Sequence, residues 1–273
     1  MRILVNGEEG AGLSATDRGF QFGDGVFETL RVHNGRPLLW ERHWARLCRG
    51  LDQLGIPRIR ESACLADLEN LSRATECMVK LIVTRGPGAR GYAAPVEPRP
   101  TRVAMGGEPL ASTTGAHPLR IGLCRTRVGT HPLGGCKHLN RIENVLARME
   151  WGADWDEGLM LDASGRAICG TQSNLFVVEK ETLVTPPIRR SGIAGTRRGW
   201  LLEHARREGI SVREEPLPLA RVRAADALFL SNARIGLCGA VWVDSPTTGP
   251  RPGTSLGLLD DLRSLGAQMH ALA

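Results

Sequence analysis

Apolar and polar positions alternate along the chain with two distinct periods. Between Trp40 and Leu54 the apolar residues Trp40, Trp44, Leu47, Leu51 and Leu54 recur at spacings of 4, 3, 4 and 3, the period of one helix face. Gly55 closes that pattern as a left-handed cap, and Pro57 prevents its continuation. The runs 25–33 (GVFETLRVH) and 77–84 (CMVKLIVT) read as strands, the latter the strongest in the chain, and Asn6-Gly7 and Asn34-Gly35 read as hairpin turns. Further strands are expected at 2–6, 37–39, 101–106, 119–124, 157–161, 174–178, 211–214, 227–231 and 239–243. Helices are expected over 61–74, 140–152 and 196–208, and from 254 onward. The segment RGPGARGYAAP is a Gly/Pro loop. There is no internal repeat, and the loose mixing of elements favours an α+β fold over a doubly wound sheet.

A small, polar, Pro/Gly-containing stretch, GGEPLASTTGAHP, is the natural place to divide the chain. It predicts an N-terminal α+β domain over 1–110, a linker over 111–118 and a C-terminal α+β domain over 119–273. An apolar fraction of 42% supports a real core, and no apolar run is long enough to span a membrane. The start MRILVNGEEG lacks a secretory pattern. Seven cysteines without a C-x-x-C pair fit reduced thiols in a cytoplasm better than zinc ligands or a disulfide framework. The net charge of +6 is scattered and aromatics make up only 4%. That balance argues against nucleic acid and suits an anionic small molecule.

No Walker sequence, no G-x-G-x-x-G after a strand, no metal-ligand spacing and no G-x-S-x-G elbow is present. Lys137, in GGCKHLNR, follows two glycines and precedes a helix start, so its amine could point into a cleft, but taken alone it is a surface lysine by default. Arg46 lies off the apolar face of its helix and is by default an exposed arginine. SGIAGTRR runs from a Gly-containing loop into a helix, whose first N–H groups suit a phosphate, although an ordinary helix start is the commoner case.

Taken together, DRGFQFGDGVFET, ERHWARL, VTRGPGARGY, KHLNRIENVLAR, a D-x-x-G turn leading to SNLF, and GIAGTRR resemble, in this order, the class IV (fold type IV) enzymes that use pyridoxal 5'-phosphate (PLP). TRGPGARGY and GCKHLNRIENVLAR look most like the family's lyase branch, which acts on 4-amino-4-deoxychorismate. The resemblance implies two α+β domains with PLP between them, and a homodimer. It implies a Schiff-base role for Lys137, phosphate contacts from Arg46 and from the backbone of Gly195, Thr196 and Arg197, and a phosphate-side place for Asn232. Arg85, Arg90 and Arg141 are candidates for substrate carboxylates. One position departs: a glutamate usual five residues before Asn174, facing the pyridine nitrogen, is Cys169 here. The activity implied is release of 4-aminobenzoate and pyruvate for folate biosynthesis; a transaminase, or a non-catalytic PLP-binding protein, are the alternatives.

Overall fold

The computed structural model describes residues 1–72, 74–110, 117–244 and 256–270. The chain divides into two compact units, each with its own sheet and helices, the α+β arrangement expected.

The first unit comprises Met1–Ser112 together with Cys136–Asn140. Its elements are β1 (Arg2–Val5), β2 (Glu8–Glu9), α1 (Arg18–Phe22), β3 (Gly25–His33), β4 (Arg36–Pro37), α2 (Trp40–Leu54), α3 (Glu61–Leu71), β5 (Glu76–Thr84) and β6 (Thr101–Pro109). The strands form one antiparallel sheet in the order β2-β1-β6-β5-β3-β4. Period-two alternation turns Val26, Glu28 and Leu30 of β3, and Val79, Leu81 and Val83 of β5, to the buried face. α2 packs on β3, and α3 on β1 and β6. Full burial of Leu47, Leu51 and Leu68 contributes roughly 1.5–3 kcal/mol each.

The second unit comprises Thr113–Gly135 and Arg141–Leu272. It contains β7 (Leu119–Leu123), α4 (Ile142–Arg148), β8 (Glu157–Leu161), β9 (Arg166–Gly170), β10 (Asn174–Glu179), β11 (Thr182–Thr185), α5 (Thr196–Arg207), β12 (Ser211–Glu214), β13 (Leu217–Pro218), α6 (Leu219–Ala224), β14 (Ala227–Asn232), β15 (Gly236–Trp242) and α7 (Leu256–His270). Its nine-stranded sheet runs β12-β11-β10-β14-β15-β7-β8-β9-β13. Leu175, Val177, Leu228 and Leu230 share one face in a core with Ile121, Leu159 and Trp242.

Several expectations change. The helix expected over 140–152 is only Ile142–Arg148: Asn140 lies before it with its side chain bonded to the Gly23 carbonyl, and Met149 caps its end. β9 and β11 were not expected; β9 is buried at four of its five positions, so it carries no alternation to read. The linker expected at 111–118 lies outside the described residues over 111–116, as does 245–255 before α7. Lys137 was expected to travel with the C-terminal domain, whereas its segment, Cys136–Asn140, packs with the first unit.

Candidate active site

Lys137 is held by strand pairing rather than by a helix. His138 bridges Val26 of β3, the Phe27 N–H donates to the Lys137 carbonyl at 2.9 Å, and the Leu139 N–H donates to the Gly25 carbonyl at 3.0 Å. The Asn140 side chain donates to the Gly23 carbonyl at 3.0 Å. α2 lies close behind: a Cβ on Gly50 would stand 2.8 Å from Val26 Cγ1 and 3.0 Å from Cys136 Sγ, so only glycine lets helix and segment approach. The Lys137 amine, on a half-buried residue, rests over the Phe27 ring at 4.3 Å from its centroid. Lys80 Nζ lies 4.7 Å from the same centroid, and burial pushes its pKa down. Phe27 and Lys80 were missed by sequence reasoning. The signal available was a lysine within the otherwise apolar run CMVKLIVT.

Arg46 is not exposed. It is buried on the α2 stripe His43, Arg46, Leu47 and Gly50, where Glu28 of β3 meets it. Arg46 Nε donates to Glu28 Oε1 at 2.8 Å, Arg46 Nη2 donates to Glu28 Oε2, and His43 Nδ1 lies 2.7 Å from the latter oxygen. Burial alone would raise the Glu28 carboxyl, but Arg46 and His43 outweigh it and hold its pKa at about 2. Arg46 therefore sits in a pre-oriented charged cluster, with two of its donors committed to Glu28.

In the second unit, the residue before α5 is Gly195, which provides no side-chain cap. The Asn174 side chain steadies the preceding loop by donating to the Ile193 carbonyl at 2.8 Å. α5 packs on β14, where the fully buried Ser231 hydroxyl has no hydrogen-bond partner among the described residues. An uncapped helix start and an unsatisfied buried hydroxyl suit an anion with several acceptor oxygens. Ser231, too, was missed; it is the residue before Asn232 in SNA. One donor of the Arg197 side chain, Nη1, is given to the Met269 carbonyl of α7 at 2.5 Å. Asn232 is a correction: its Oδ1 accepts from the Arg234 and Ile235 N–H groups at 2.8 and 2.9 Å and its Nδ2 donates to the Gln172 carbonyl at 3.3 Å, so the side chain ties its own turn to the loop before β10.

Cys169 is buried with Cys124, Val128, Ala147, Met160 and Ile168. Burial, then the nearby Glu157, push its thiol up to about 12, against the pull of Arg141, so it stays neutral at ordinary pH. Glu157 itself is spent on the turn that follows, accepting from the Thr171 N–H at 3.0 Å and the Ser173 hydroxyl at 2.9 Å.

Among the substrate candidates, Arg85 is a correction. It is buried, donating to both oxygens of Asp24 at 2.7 and 3.1 Å and to the carbonyls of Leu54 and Gly55 at 2.6 and 2.9 Å, which ties down the end of α2. A side chain so committed has little left for a substrate. Arg90 is exposed on its loop, and Arg141 is half-buried at the start of α4.

The family model for amino-transferase class IV matches residues 25–241, most of the chain. The chain belongs to the class IV aminotransferase family. Among curated relatives of this class IV chain, an aminodeoxychorismate lyase from Vibrio harveyi is 32% identical over 257 residues, covering 89% of this chain and 91% of the relative. A putative branched-chain-amino-acid aminotransferase from Methanocaldococcus jannaschii is 33% identical, covering 85% and 84%. The crystal structure of 4-amino-4-deoxychorismate lyase from Pseudomonas aeruginosa superposes with a TM-score of 0.87 at 41% identity, covering 96% of this chain and 98% of that one.

Proposed function

We propose that the protein is a PLP-dependent lyase that converts 4-amino-4-deoxychorismate to 4-aminobenzoate and pyruvate. The observation that carries this reading is the 41% identity to a lyase of that specificity over nearly the whole chain. The local chemistry agrees with it. Lys137 would hold the cofactor's carbonyl carbon, while Arg46 and the backbone of Gly195, Thr196 and Arg197 would hold its phosphate. When bound, PLP supplies an electron sink for charge developing at the substrate carbon. Displaced from the cofactor's carbonyl carbon by the substrate's amine, Lys137 Nζ would be free to take the proton from the carbon bearing the substrate's nitrogen, in the role of general base. The electrons leave through the enolpyruvyl C–O bond, pyruvate departs after protonation, and the ring becomes aromatic. Arg90 and Arg141 are assigned to the substrate's carboxylates. A neutral Cys169, at the position where the family resemblance would place the ring nitrogen's partner, would suit this reaction, because a substrate with its own electron outlet depends less on a protonated ring than a transaminase does.

We infer a homodimer, supported by the exposed apolar residues Ile142, Val145, Leu146 and Met149 on and beside α4. A cytoplasmic location is supported by seven unbridged cysteines. No helix among the described residues is long and apolar enough to cross a membrane.

The test is to incubate the PLP-loaded protein with 4-amino-4-deoxychorismate and follow 4-aminobenzoate and pyruvate. Equimolar formation of both is expected, together with borohydride labelling of Lys137 and loss of label and turnover in Lys137→Ala. Efficient transamination without elimination, or label on Lys80, overturns the assignment.

A further inference from the structure

The loop that follows β5 is exposed at its tip, with Arg90, Tyr92 and Val96 all open to solvent. Left to itself, such a loop would sample many conformations, and ordering it costs conformational entropy at every residue. Its base is zipped to the turn before α1. The Arg18 N–H donates to the Gly86 carbonyl and the Gly88 N–H to the Thr16 carbonyl, each at 3.0 Å. Asp17, wholly buried, anchors that turn by accepting from the Gly19 N–H at 2.8 Å and the Thr84 hydroxyl at 2.9 Å.

The tip is held by one side chain. Arg18 is only 4% exposed. Its Nη1 donates to the carbonyls of Gly91 and Ala93 at 3.1 and 3.0 Å, and its Nη2 donates to Tyr92 at 2.9 Å. Its Nε donates to Asp24 Oδ2 at 2.9 Å, and Asp24 is in turn fixed by Arg85. The guanidinium also stands 5.0 Å over the Phe22 ring, against which the Tyr92 ring packs at 5.4 Å. A Cβ on Gly88 would come within 2.9 Å of Arg18 Cδ, so the loop backbone passes directly across the arginine stem. Three consecutive carbonyls gripped by one planar fork fix the backbone just after Arg90.

We propose that Arg18 is the positioning residue for this loop, holding Arg90 at a set reach for a substrate carboxylate. The proposal deepens the reading given above for Arg90 and rests on it. Pre-ordering removes the ordering entropy that substrate binding would otherwise cost, so its loss appears in KM before kcat.

Native trypsin digestion of the wild type should spare the Arg90–Gly91 bond; ready cleavage there would already overturn the clasp. Arg18→Lys keeps the charge beside Asp24 but cannot span three carbonyls. It should admit trypsin at Arg90, raise KM about tenfold with a smaller change in kcat, and leave thermal unfolding close to wild type. Arg18→Lys combined with Arg90→Ala should bind no worse than Arg90→Ala alone. An unchanged cleavage pattern, or KM effects that multiply in the double variant, refutes the positioning role. A wild-type KM in Arg90→Ala alongside a loosened loop in Arg18→Lys removes Arg90 from the substrate site and leaves Arg18 as a structural strut.

Discussion

At the scale of single residues, Glu28 governs more than its place in β3 suggests. It is a buried carboxylate that accepts from Arg46 and shares a hydrogen bond with His43. Glu28→Gln leaves the Arg46 charge without its counter-ion in a buried place, which should cost about 3–5 kcal/mol, measured by urea unfolding. The pH dependence follows from the direction of the shift. A carboxyl held down at about 2 stabilises the fold fully above the ordinary glutamate value, about 4.3, and that contribution is lost as pH falls from there towards 2. Glu28→Gln should therefore flatten the stability profile between those limits. An acid limb as steep as that of the wild type would show that other carboxylates dominate it.

At the scale of elements, the pairing of the Lys137 segment to β3 depends on a helix with a missing side chain. Alanine favours helices by roughly 0.8–1.0 kcal/mol over glycine, so Gly50→Ala on α2 would stabilise an isolated helix. Here the added methyl meets Val26 and Cys136, and overpacking of this kind costs roughly 1–3 kcal/mol. The variant should melt at a lower temperature than wild type and take up PLP more weakly, because the strain falls on the residue next to Lys137. A higher melting temperature with unchanged PLP uptake would show that the segment yields freely.

For the whole molecule, the exposed apolar face of α4 is the feature least suited to a single chain in water. Light scattering at micromolar concentration should report twice the chain mass, and Val145→Asp with Leu146→Asp should shift the protein towards a single chain. Full activity of a wild-type monomer would refute the dimer.

Much of this was written locally in the sequence. The α2 helix with its Gly55 cap and the long strands β3 and β5 follow from periodicity and turn chemistry, which act over a few residues. GIAGTRR announced a helix start because an uncapped N-terminus needs only neighbouring backbone N–H groups. Elsewhere the outcome rests on partners distant in the chain. Arg46 reads as a surface residue until Glu28, eighteen positions earlier, is folded beneath it. Arg85 and Asn232 read as binding groups until Asp24 takes up the one, and the turn at 234–235 together with the Gln172 carbonyl takes up the other. β9 escaped because a strand buried on both faces has no alternation, and Arg18 gave no sign that it would grip Gly91, Tyr92 and Ala93. Periodicity records which face of an element is apolar, whereas the partner of a polar group is set by what the tertiary fold brings within about 3 Å of it.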